Sequence, residues 1–109
     1  MNFEELETLQ AKELLPGFFG KFIHTKSMTL AYWEIMPGSL LPEHSHVHEQ
    51  VANLLEGSFE ITIDGITKVL EPGQIAIIPS WANHSGKALS ACKILDVFSP
   101  VREEYKVII

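Results

Sequence analysis

Apolar and polar residues alternate along much of the chain. Phe59, Ile61 and Ile63 interleave with Glu60, Thr62 and Asp64, the period of two that marks a strand with one buried face. Residues 18–25 and 28–36 are rich in aromatic and branched side chains and predict two strands. Residues 51–55, 66–70, 74–78 and 90–98 predict four more. Glycine and proline punctuate them: Pro16-Gly17, Met36-Pro37-Gly38, Glu56-Gly57 and Glu71-Pro72-Gly73 are turn signals. Asp64-Gly65 predicts a two-residue hairpin turn, because glycine tolerates positive φ. Pro79 stops the 74–78 strand or places it at a sheet edge.

The two ends read differently. Asn2 predicts an N-cap for a short helical turn through Glu4, Glu5 and Leu6. Pro16-Gly17 ends anything helical that reaches so far. The tail, residues 105–109, is apolar and predicts an edge strand or a cover over a neighbour. Many short strands joined by Gly and Pro turns predict an all-β sandwich or barrel, with a double-sheet jelly roll as the natural form. At 109 residues the expectation is one domain, 1–109.

Charge narrows the partners. The formal net charge is −6, which argues against nucleic acid or an anionic membrane, since both need a basic footprint. A small anionic substrate needs only a local positive site. Cys92 is the single cysteine, so no internal disulfide forms and a reducing compartment fits. The N-terminus is acidic where a signal peptide is basic. No apolar run reaches the roughly 18 residues that span a bilayer. The expected location is cytoplasmic.

Chemistry concentrates between Gly38 and Gly57. His44, His46 and His48 occupy alternate positions. An extended strand would send His44 and His46 to one spot, with Gln50 in the same parity. Imidazoles suit a divalent transition metal, and an amide oxygen can complete the shell. His84, far along the chain, is the remaining ligand candidate. Ni, Zn, Fe, Mn and Co all stay open, because affinity order and availability decide as much as ligand type. Three histidines and a glutamine already make a shell, which leaves His48 an outer or surface role.

These residues resemble the cupin family. Its first motif is a glycine, five residues, His-x-His, three or four residues, Glu, six residues and glycine. Gly38, His44, His46, Gln50 and Gly57 fit the shorter form, with Gln50 where glutamate is usual. Glu49 fits the longer spacer and competes with Gln50 as a ligand. The second motif is matched by Gly73, Pro79 and His84; Trp81 stands where a glycine is usual and Ala88 where an asparagine is. The run from His44 to Gln50, with the stretch at 95–105, is similar to the pectin-degradation cupins. Those enzymes convert 4,5-unsaturated uronates to linear keto-deoxyuronates. The resemblance implies Asp96, Phe98 and Arg102 as site residues beside the metal, an anionic sugar as ligand, and a homodimer. The N-terminal strands and residues 107–109 are the expected two-fold contacts.

Each of these residues also has a plainer reading. Asp96 shares a strand face with Ile94 and Phe98, where a carboxylate is costly unless paired or functional. It is either a general acid–base with a pKa raised by burial, or a structural partner of Arg102. Arg102 offers a planar fork for a uronate carboxylate, or else a surface ion pair to Glu103 or Glu104. Phe98 and Trp81 are the aromatic candidates for stacking on a sugar ring. Two rival functions remain: an oxygen-activating dioxygenase on a redox metal, and a non-enzymatic module binding sugar or metal.

Overall fold

The computed structural model describes residues 1–106. Among the described residues ten strands form: β1 (Lys12–Leu15), β2 (Phe18–His24), β3 (Thr29–Ile35), β4 (Leu40–His44), β5 (Glu49–Glu56), β6 (Phe59–Ile63), β7 (Ile66–Leu70), β8 (Ile75–Ile78), β9 (His84–Ala88) and β10 (Cys92–Ser99). One sheet has the order β1-β2-β3-β10-β5-β8 and the other β4-β9-β6-β7. Every pairing is antiparallel. The two sheets form the predicted jelly roll.

Period-two patterning fixes which residues meet inside. Ala31, Trp33 and Ile35 of β3, Ile94 and Phe98 of β10, and Ala52 and Leu54 of β5 share one core with Phe59 and Ile61 of β6, Leu70 of β7 and Ala88 of β9. Strand β8 is an edge, four residues long, with Ala76 and Ile78 inward and Ile75 and Ile77 exposed.

Three features depart from expectation. Pro16-Gly17 turns a β1–β2 hairpin and ends no helix. The N-terminal turn is a 3₁₀ turn at Leu6–Thr8, entered from Glu5 without a side-chain cap, so Asn2 does not serve it. Strand β9, His-Ser-Gly-Lys-Ala, lacks strand-forming composition; its ladders to β4 on one side and β6 on the other impose its conformation. At the other end Tyr105 closes a 3₁₀ turn, Glu103–Tyr105, and covers Phe22, Trp33 and Phe98. The expected pairing of 107–109 lies outside the described residues.

Gly57, the last glycine of the first motif, has φ +90, and a Cβ there would run into the Ala91 carbonyl oxygen. Left-handed backbone costs an L-residue roughly 1–2 kcal/mol before any clash. Gly57→Ala is expected to destabilise the fold by about 2–3 kcal/mol, read as a drop in unfolding midpoint.

Candidate metal centre

His44 ends β4 and His84 begins β9, and the two are register partners. His46 lies between β4 and β5, outside any strand. The ring centroids of His44 and His84 are 4.1 Å apart, those of His46 and His84 5.0 Å, and those of His44 and His46 5.6 Å. One nitrogen from each ring lies within 4.8 Å of the others. A single extended strand does not bring them together, contrary to the parity argument. The chain leaves the four-stranded sheet after His44, bends at residues 47–48, and enters the six-stranded sheet at Glu49. The turn at 80–82 pins that crossing: the Trp81 amide donates to the His46 carbonyl at 2.8 Å, and the Ser80 hydroxyl to the Val47 carbonyl.

Main-chain oxygens aim the imidazoles. His44 Nδ1 is 2.8 Å from the Pro42 carbonyl, His46 Nδ1 3.0 Å from the His48 carbonyl, and His84 Nδ1 2.9 Å from the Ala82 carbonyl. A carbonyl only accepts, so each Nδ1 carries the hydrogen and donates. Each Nε2 is then a bare lone pair, the form a metal takes. His84 Nε2 is buried with no hydrogen-bond partner among the described residues. His46 Nε2 faces Gln50 Oε1 at 3.1 Å. Two acceptors in contact repel unless a cation serves both or the amide turns over. The orphaned nitrogen and the facing acceptors both fit a bound cation.

Electrostatics favours a neutral ring at His46 and at His84. Burial pushes His46 down to about 4, with the Arg102 and His84 charges adding to it. Burial also lowers His84, partly offset by its bond to Ala82. Gln50 is buried on β5 while Glu49 points to solvent, so the amide and not the carboxylate faces the histidines. His48 is buried beside Phe98, and its Nδ1 has no partner among the described residues.

A cavity of about 470 Å³ is lined at this end by His44, His84, Gln50, Asp96, Phe98 and Arg102. The rest of its wall is largely apolar and includes the buried Leu54, Phe59 and Leu70. Asp96 does not pair with Arg102. Its Oδ2 accepts from Trp33 Nε1 at 3.0 Å, and its Oδ1 has no partner among the described residues. Burial pushes the carboxyl up to about 6, against the pull of Gln50, Trp33 and Arg102. Arg102 instead pairs through Nε with Glu104 at 3.1 Å, in a side chain only 12% exposed. Its guanidinium carbon lies 4.3 Å from the Tyr105 ring centroid and 4.9 Å from that of Phe98. The terminal amino groups remain for a ligand.

Trp81 is a correction. It is 64% exposed and absent from the cavity wall. Its φ of +66 explains why glycine is usual there, and its contribution is the backbone amide on His46. The Arg102–Glu104 pair was one of the plainer readings, while two other participants were not foreseen. Trp33 orients Asp96, and inward parity on β3 plus an indole N–H in need of an acceptor was the available signal. Tyr105, which braces Arg102 with Glu104, carries no pattern of its own.

Among known families, the cupin domain matches residues 31–98. The chain belongs to the cupin family. The pectin degradation protein KdgF of Dickeya dadantii is 31% identical to this cupin over 70 residues. That match spans 62% of this chain and 64% of the relative, under two thirds of its length. The solved structure of KdgF from Halomonas sp. superposes with a TM-score of 0.91 at 25% identity, covering 96% of this cupin and 98% of that chain. An RmlC-like cupin from Shewanella frigidimarina reaches the same TM-score at 24% identity, covering 96% of each chain. That second likeness bears on fold alone.

The Asp96 carboxyl generates a stability prediction. Its folded value, about 6, lies above its ordinary 3.8. Protonation therefore contributes stability that is complete below pH 4 and lost as pH rises through 6. In metal-stripped protein, Asp96→Asn is expected to raise unfolding free energy at pH 7 by about 1–3 kcal/mol and to change nothing at pH 3.5. Denaturant melts across that range read it.

Proposed function

We propose that this cupin holds a divalent transition metal through His44, His46, His84 and Gln50 and opens 4,5-unsaturated uronates to linear keto-deoxyuronates. The observation that carries this reading is a buried carboxyl and a guanidinium lining one cavity with His44 and His84 of the convergent imidazoles. The likeness to KdgF supports the substrate class. When bound, the metal supplies Lewis-acid polarisation of substrate oxygens.

The chain's own residues do the rest. Arg102 grips the uronate carboxylate, held in place by Glu104 and the two aromatic rings. Phe98 walls the ring's site. Asp96, aimed by Trp33, takes the hydrogen of the anomeric hydroxyl and returns one to C4 as the C1–O5 bond breaks. The double bond becomes a keto group at C5, C1 becomes an aldehyde, and no atom is gained or lost. A pKa near neutrality lets one carboxyl serve both transfers.

The double bond absorbs in the ultraviolet, which gives the assay. Metal-loaded protein is expected to speed loss of absorbance from freshly made unsaturated galacturonate. Asp96→Asn should lose about 10²–10⁴-fold in kcat with metal content intact. Arg102→Lys should cost about 10–100-fold in kcat/KM, chiefly through KM. A wild-type rate equal to the spontaneous one overturns the proposal. Oxygen consumption under the same conditions would instead favour a dioxygenase.

The same proposal includes action in the cytoplasm, where the lone, buried Cys92 thiol stays reduced, and assembly as a homodimer. On the outer face of the six-stranded sheet, Ile23, Leu30, Val97, Val51 and Ile77 are successive register partners across five strands. Such an aliphatic row suits a self-complementary contact. Light scattering is expected to give about twice 12.2 kDa, and Val97→Glu to give a folded monomer. A monomeric wild type would refute it.

A further inference from the structure

Arg102 sits on a segment, residues 100–106, that belongs to no strand. Two backbone bonds of this segment stay within it, Tyr105 to Arg102 and Lys106 to Glu103. Among the described residues, its backbone reaches the barrel by one hydrogen bond, from the Arg102 amide to Thr29 Oγ1 at 2.9 Å. Thr29 is fully buried at the start of β3, paired with Phe98 on one side and His24 on the other.

The same hydroxyl is 2.9 Å from His24 Nδ1. A hydroxyl has one hydrogen to give and lone pairs to receive. The Arg102 amide can only donate, so it takes a lone pair. His24 Nδ1 either accepts the hydroxyl hydrogen or donates its own to the second lone pair, according to its tautomer. His24 is also stacked on Phe22 at 6.5 Å between centroids, and Phe22 packs on Tyr105 at 4.9 Å. These contacts link Tyr105, one of the two rings beside the guanidinium, to the buried hydroxyl, while Phe98, the other ring, is the strand partner of Thr29.

We infer that Thr29 is a positioning residue: its hydroxyl, oriented by His24, anchors the Arg102 backbone so that the guanidinium meets the rings of Phe98 and Tyr105 at the cavity. The consequence for catalysis rests on Arg102 being the carboxylate grip proposed above. An anchor displaced by about 1 Å can cost a reaction roughly 100-fold.

The test compares Thr29→Val, which removes the hydroxyl at nearly constant shape, with Thr29→Ser, which keeps it; Thr29→Ala substitutes if the valine variant does not fold. In the full chain, nitrogen-15 NMR is expected to show the Arg102 amide protected in wild type and in the serine variant. In the valine variant it should exchange at least about tenfold faster, and the Arg102 Nε–H signal should lose its protection. With unsaturated galacturonate, the valine variant should raise KM about tenfold or more at a kcat within threefold of wild type, and serine should restore it. Unchanged exchange in the valine variant, or faster exchange with unchanged KM, overturns the inference. The exchange readings do not depend on turnover. An inactive wild type would therefore sink the sugar-acid reading and leave this one to be decided by NMR.

Discussion

Three hydrogen bonds from imidazole Nδ1 to main-chain carbonyls hold the centre of this molecule together. They decide which nitrogen is protonated, and so which one faces the interior. They also let residues from a strand end, a crossing and a strand start act as one unit. Without them, three histidines at 4–6 Å between centroids would be a crowded cluster with no common direction. The acceptors are backbone atoms of Pro42, His48 and Ala82, so the aim of the rings is written into the path of the chain rather than into other side chains.

The rest of the cavity follows the same economy of polar atoms. Asp96 is tolerated among Ile94, Phe98 and Trp33 because the indole gives one oxygen a partner, and burial raises the carboxyl's hold on its proton. Arg102 is tolerated because Glu104 takes one edge and two aromatic faces take the plane. Each charge is half-satisfied by the protein and half left over. That remainder is what a ligand would complete, at the polar end of an otherwise apolar cavity.

The strands were largely legible because alternation is strong where one face is buried: Phe59, Ile61 and Ile63 needed no further argument. Strand β9 was not legible, since Gly86 and Lys87 hold a strand only between two neighbours. The convergence of His44, His46 and His84 was legible, but for a partly mistaken reason. Parity along a single strand failed for His44 and His46, although Gln50 is buried and Glu49 exposed as that parity implied. The roles of Trp33 and Thr29 depend on partners more than sixty residues away, Asp96 and Arg102, and local pattern carries no trace of that.

Strand β8 shows how the barrel ends safely. It carries Ile75 and Ile77 bare on the outside, at the margin of the larger sheet. A longer margin of this kind would be a template for cross-β growth. Here Gly73 precedes it and Pro79 follows it, and proline has no amide hydrogen to extend the ladder. A strand of four residues bracketed by two breakers is a short template, so the molecule carries greasy side chains at its margin with little edge to seed a fibre.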